Sequence, residues 1–436
     1  MTIKRTLFWL TLVTVLSLFA AACGDSTSST SPDTTTTESA MTEAETTTTE
    51  SAMTEAETTT TESAMTEAET TTTQPPINMT PGEGSSAIMG RADWSTGYAQ
   101  AQIYKQLLEE LGYSISEPSE LELGPSLAYL SMAIGDIDFW VNSWYPSHSS
   151  WWEPELPDGS SVGDHLRVVG NQMLDSGLQG YLITKEFAET HGITHLDQIN
   201  DDPEILAAFD ADDPLPGNGK ADIYGCPESW TCDNTIDNQI AFSGWDNIQQ
   251  FKAGYEAMFA DASAKADSGK AMVIYTWTPT HYVTILRPGD NVVWLAVNEV
   301  IDDSNPIGRE GGESDDQRPG QANLSPDTCP AAANADNCQL GWVAADIQVT
   351  ANSDWLNDNP YAAELLCHVT LSVLDVALFN VEQNNAGSDS TEDFIASLAA
   401  DWIADNRATV DEWLSAARNA PMTPSCPDTK VPAAAT

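Results

Sequence analysis

From about residue 85 onward, apolar and polar positions alternate in a rhythm of strands and helices. Residues 87–90, Ala-Ile-Met-Gly, form a short apolar run that reads as a buried first strand. Across 96–111, Ile103, Leu107 and Leu111 fall on one helical stripe, and Gly112 stands just past its end. Pro125 opens a second helix in which Leu127, Leu130 and Ile134 share a face. Residues 135–141 alternate like a strand and run straight into Asn142-Ser143-Trp144-Tyr145-Pro146-Ser147-His148. Residues 179–183 read as a strand crossing to a second lobe, and 292–297 as the segment that carries the chain back. A returning strand follows over 342–349, then a helix opened by Asn359 at the N-cap and Pro360 at N1, then helices around 394–404 and 410–417. Strand, helix, helix, strand in this order predicts an α/β fold with a largely parallel sheet flanked by helices. The length is too great for one simple core and suits two lobes, 85–180 with 298–436, and 181–297.

The first 84 residues are of another kind. Lys4 and Arg5 precede an apolar run over 7–22 that ends at Cys23, which reads as a signal peptide over 1–22. The run is short for a membrane span. Ala20-Ala21-Ala22-Cys23 resembles a bacterial lipobox, with Ala20 where Leu is more usual, and so predicts acylation of Cys23. From Thr34 to Glu69 the block Thr-Thr-Thr-Thr-Glu-Ser-Ala-Met-Thr-Glu-Ala-Glu occurs three times in succession. Its only large apolar residues are Met41, Met53 and Met65, so nothing offsets the entropy of ordering it. Residues 23–84 are therefore expected to be a disordered tether, which places the folded part on the extracytoplasmic face of a cell membrane.

Charge and cysteine narrow the classes further. The chain carries 16 basic and 66 acidic residues, a net charge of −50, which excludes nucleic acid as a partner. Of seven cysteines, Cys23 is assigned to lipid. The six left suggest disulfides in an exported chain. Proximity pairs Cys226 with Cys232 and Cys329 with Cys338, leaving Cys367 for Cys426. No Cys-x-x-Cys spacing argues for zinc, and the acidic loop over 209–219 lacks EF-hand spacing, so no metal and no cofactor is expected. Residues 301–341, polar and rich in Gly and Pro, read as a surface insertion stapled by Cys329 and Cys338.

Three tryptophans fall at predicted loop or strand ends: Trp144, Trp230 between Cys226 and Cys232, and Trp277 in Tyr275-Thr276-Trp277-Thr278-Pro279. In open α/β sheets ligands bind beyond the carboxyl ends of strands. Converging indoles would form a cage for a methylated cation, each face contributing roughly 0.5–2 kcal/mol. Position alone also allows them to be core tryptophans. The Trp144–His148 segment, the Gly225–Cys232 loop and the Tyr275–Pro279 segment together resemble the ligand motifs of the glycine betaine/proline betaine-binding proteins of osmoprotectant ABC importers.

That resemblance, running from about residue 88 to 414, implies a two-lobed periplasmic-binding-protein fold of type II, with the ligand at the inter-lobe hinge. It implies that Trp144, Trp230 and Trp277 box a trimethylammonium group. His148 would donate to the ligand carboxylate, joined by the backbone N–H groups of Thr231 and Cys232. The partners it implies are a betaine, a membrane permease and that permease's ATPase subunit. Thr231 stands where the family can have Gly, which would matter if the position needed φ > 0. The alternative ligands are choline, carnitine or another methylated zwitterion; a surface glycan-binding protein is a further alternative. An enzyme is disfavoured, because no Gly-x-Ser-x-Gly turn, His-Glu-x-x-His helix or phosphate loop is present.

Overall fold

The computed structural model describes residues 77–297, 321–334 and 338–420. The signal peptide, Cys23, the repeat, Cys426 and part of the 301–341 insertion lie outside the described residues. One mixed sheet of nine strands organises the rest. In chain order they are β1 (Met89–Ala92), β2 (Glu122–Leu123), β3 (Phe139–Tyr145), β4 (Leu166–Thr184), β5 (Ala221–Tyr224), β6 (Ile248–Phe251), β7 (Val273–Thr278), β8 (Val292–Leu295) and β9 (Ala345–Asn352). They lie in the order β2-β1-β3-β9-β4-β7-β5-β6, with β8 paired to β4.

The sheet has two halves joined by β4, a strand of 19 residues. Its first part, Leu166 to Gly177, pairs antiparallel with β9, which pairs in turn with β3. Its second part, from Leu178 to Ile183, pairs antiparallel with β7, while Tyr181 to Thr184 also pairs with β8. The outer strands are parallel within each half, β1 to β2 and β3, and β5 to β6 and β7. The two-lobed α/β arrangement flanked by helices is as expected from the sequence, but the sheet is mixed rather than largely parallel, because the long β4 and β9 run antiparallel to the strands beside them.

Helix α1 (Thr96–Glu110) buries Ile103 and Leu107, with Leu111 as its C-cap, also buried, and Gly112 beyond it at φ +94°, as the stripe predicts. Helix α2 (Pro125–Ala133) does not behave as its apolar residues suggest. Leu127, Leu130 and Ile134 do share a side, but that side faces solvent at 55%, 40% and 55% exposure. The buried side is Ala128, Tyr129, Met132 and Ala133. Tyr129 decides this: its ring packs on Trp140, Tyr145 and His148 at 5.7, 6.4 and 5.8 Å. A large ring with a hydroxyl that finds a partner inside outweighs a leucine stripe. The strand predicted at 135–141 also shifts: Gly135, at φ +82°, turns the chain out of α2, and β3 begins only at Phe139 and runs on to Tyr145.

Two disulfides close within the described residues, Cys226–Cys232 and Cys329–Cys338. Cys367 is disulfide-bonded, and Cys426, the partner expected for it, lies outside the described residues. Urea unfolding checks the inverted face of α2. Tyr129→Ala should cost about 3 kcal/mol, whereas Leu127→Ser and Ile134→Ser should each stay within about 0.5 kcal/mol of wild type.

Candidate functional site

A cleft opens where the two halves of the sheet meet, lined by residues from both. The end of β3 and the turn after it give Trp144, Ser147 and His148; β4 gives Gln179; β7 gives Tyr275 and Trp277. Trp94 comes from the loop after β1, and Pro125 from the start of α2. Trp230, Thr231 and Cys232 come from the disulfide loop and the first turn of α3 (Thr231–Phe242). All six ligand-site residues expected from the sequence therefore line one cavity. Trp94 was missed, although it stands two residues past the end of β1, close to a strand end as Trp144 is.

The aromatic wall is built from crossed rings. Trp230 meets Trp277 edge-on at 5.4 Å and 84°, and Trp94 at 5.6 Å and 71°. Behind them Tyr255, which opens α4 (Tyr255–Asp267), stacks on Trp230 at 5.6 Å and touches Trp277 at 4.8 Å. One residue orients two of the indoles: Asn142 Oδ1 accepts from Trp144 Nε1 at 2.7 Å and from Trp94 Nε1 at 3.2 Å. Trp144 also requires Gly177 opposite it, since a Cβ there would lie 2.6 Å from the indole.

His148 supplies the polar end. Its Nδ1 lies 3.1 Å from the backbone N of Trp144, and 3.2 Å from the Tyr129 hydroxyl. A backbone N–H only donates, so Nδ1 is an acceptor and the neutral ring carries its proton on Nε2. The ring is 5% exposed and stacks on Trp140 at 5.8 Å and 17°. Burial pushes its pKa down to about 3, so the imidazole is a neutral Nε2–H donor at ordinary pH.

The disulfide loop ends at the N-cap of α3, Trp230 (φ −98°, ψ 149°). The N–H groups of Thr231 and Cys232 therefore sit in the first helical turn, where no preceding turn of helix accepts from them and the dipole favours an anion. Thr231 is itself the first helical residue, so its position does not call for the positive φ that a glycine would serve. Gln250 clamps the loop: its Oε1 accepts from Cys226 N at 3.0 Å, and its Nε2 donates to the Asp233 carbonyl at 3.1 Å. The acidic loop over 209–219 is occupied internally, with Asp210 Oδ1 accepting from the N–H groups of Gly217, Asn218 and Gly219 at 2.8–3.0 Å. Among the described residues no His, Cys, Asp and Glu cluster could hold a metal.

Residues 87–405 match the family model of the substrate binding domain of the ABC-type glycine betaine transport system. The chain belongs to this family. It is 32% identical over 341 residues to a glycine betaine-binding periplasmic protein, OusX, of Dickeya dadantii, covering 78% of this chain and 92% of that one. It is 30% identical over 339 residues to a glycine betaine/proline betaine-binding periplasmic protein of Salmonella typhimurium, covering 77% and 91%. Two solved structures share the fold. Lactococcal OpuAC in its closed form with glycine betaine has a TM-score of 0.51 at 14% identity, covering 76% of this chain and 99% of that one. An ABC-transporter choline-binding protein with choline has a TM-score of 0.52 at 16% identity, covering 76% and 91%.

The depressed pKa of His148 has a measurable consequence. The unfolded chain takes up a proton below about pH 6.5 that the buried ring refuses until about pH 3, so acidification across that window favours unfolding. Wild type should therefore lose stability faster than His148→Gln as pH falls from 6.5, by about 1 kcal/mol per pH unit. Parallel urea melts of the two proteins from pH 7 to pH 4 read the difference, in which the shared carboxylate contribution cancels.

Proposed function

We propose that this protein is the extracytoplasmic substrate-binding subunit of an ABC importer, capturing glycine betaine, proline betaine or a related quaternary ammonium osmoprotectant. The observation that carries the reading is the convergence, in one cavity, of four indoles with the neutral His148 and the start of α3. A trimethylammonium group would sit among Trp144, Trp230 and Trp277, with Trp94 as a further wall. It loses little hydration there and gains cation–π attraction, whereas a strongly hydrated lysine ammonium would not. The carboxylate would take His148 Nε2–H and the N–H groups of Thr231 and Cys232.

The protein performs no chemistry on what it binds. His148 would make a poor general base, because its lone-pair nitrogen is held by a backbone N–H and its pKa is far below neutrality. Lobes of 85–180 with 298–436, and 181–297, would close on the ligand, a division supported by the change of β4's partner from β9 to β7 between Gly177 and Leu178. Cys23 would carry the lipid that holds the protein at the membrane, beside a permease whose ATPase subunit supplies the energy.

Isothermal titration with glycine betaine, proline betaine, choline and carnitine tests the ligand class; no heat with any of them sinks it. Trp144→Ala and Trp277→Ala should each raise Kd about tenfold or more, the loss of roughly 1.4 kcal/mol. A separate expectation concerns the Cys226–Cys232 loop. Loop closure of that size stabilises by only about 2 kcal/mol, yet it fixes Trp230 and the two N–H donors together. The double change Cys226→Ser, Cys232→Ser should lower Tm by only about 4 °C while weakening glycine betaine about tenfold. Equal affinity with a large fall in Tm would assign the bridge to stability alone.

A further inference from the structure

Two indole N–H bonds cross the cleft in opposite directions. Trp230, on the disulfide loop of the second half, donates through Nε1 to Asp93 Oδ1 in the first half at 2.7 Å. Trp151, beyond the end of β3 in the first half, donates through Nε1 to the Thr231 hydroxyl in the second at 2.7 Å. Ser229 adds a longer contact to Asp93 Oδ2 at 3.4 Å. Gly124, just before α2, lets the two sides approach: a Cβ there would come within 2.7 Å of the Ser229 carbonyl oxygen. One short loop is thus gripped from the opposite half at Asp93, Gly124 and Trp151.

Asp93 does not line the cavity, but the ring it holds does. It is next in sequence to Trp94, whose indole meets Trp230 at 5.6 Å, so one short segment grips Trp230 both by its N–H and by its ring. We propose that Asp93 is a ligand-positioning residue that makes assembly of the aromatic cage and closure of the two lobes one event. Its carboxylate is solvated in an open cleft and takes the Trp230 N–H when the lobes meet. That charge-assisted bond is stronger than a neutral one and replaces the water that closure removes. Trp230, packed on Tyr255 and Trp277 within its own half, joins the indoles of the first half when this bond is made, and ligand release requires breaking it. Trp151 and Thr231 form the reciprocal fastening, in which the threonine side chain contributes an acceptor that glycine would lack.

The inference rests on the quaternary ammonium reading of the cavity, and its test separates the two. Glycine betaine affinity by calorimetry, its dissociation rate by stopped-flow tryptophan fluorescence, and Tm without ligand are measured for wild type, Asp93→Ala and Asp93→Asn. Asp93→Ala should raise Kd about tenfold, almost wholly through faster release, with the unliganded Tm within about 2 °C of wild type. Asp93→Asn keeps an acceptor oxygen and should return Kd to within about threefold of wild type. Wild-type release from Asp93→Ala overturns the inference, as does Asp93→Asn impaired as much as Asp93→Ala. A wild-type protein that binds no quaternary ammonium compound overturns the ligand reading and this inference together.

Discussion

The hydrogen bond from the Trp144 backbone N–H to His148 Nδ1, 3.1 Å long, ties the aromatic wall of the cleft to its polar end. It exists because β3 runs on through Trp144 and Tyr145 before the chain turns at Pro146, which brings the His148 ring back beneath the strand it has just left. The bond takes the lone pair of Nδ1 out of play and leaves Nε2 as a donor. Tyr129 and Trp140 then close around the ring, and the burial they impose keeps it neutral. A neutral donor suits a carboxylate whose charge is balanced a few ångströms away by its own ammonium. A protonated imidazole in the same place would put a second cation beside that ammonium.

Each indole is held in place by the protein's own groups. Asn142 orients Trp94 and Trp144, and Asp93 orients Trp230. Trp277 Nε1 has no acceptor among the described residues; its ring is fixed instead by contacts with Trp230, Tyr255 and Tyr282 at 4.8–5.4 Å. Fixing rings by hydrogen bonds and packing lowers the ordering cost of binding. The net charge of −50 contributes little to this site, because screened surface charges act weakly at a distance and the cage works by local contact.

Much of the site was legible because its residues sit in short local motifs. A tryptophan between two cysteines six apart needs no tertiary information to be noticed, and the Cys226–Cys232 bridge follows from the same spacing. The α1 stripe of Ile103 and Leu107 was legible for a similar reason, since periodicity is a local property. What escaped depends on contacts distant in sequence. Asp93 and Trp230 are 137 residues apart, and Trp151 and Thr231 are 80 apart. The inverted face of α2 escaped too, because a stripe records which residues are apolar and not which neighbour competes for the inside. Leu127 and Ile134 lose that competition to Tyr129, whose partners lie on β3 and the turn after it.

Because β4 belongs to both halves, any motion of one half against the other must pass through that strand. The change of partner from β9 to β7 falls between Gly177 and Leu178, and β9 shifts register against β4 between Ala345 and Ile347, opposite the same stretch. A register shift loosens the ladder where the partners change, and glycine adds backbone freedom there. Gly177 is also the residue over which Trp144 packs too closely to admit a Cβ. A break in the ladder of the shared strand therefore lies directly against one wall of the cage. Bending at this point would move Trp144 relative to Trp230 and Trp277, so the shape of the cage and the angle between the halves are coupled through this contact as well as through those across the cleft. Filling the cage with a methylated cation would then favour one angle over others by the differential contact it makes with those rings, which is all that a ligand needs to select the closed form.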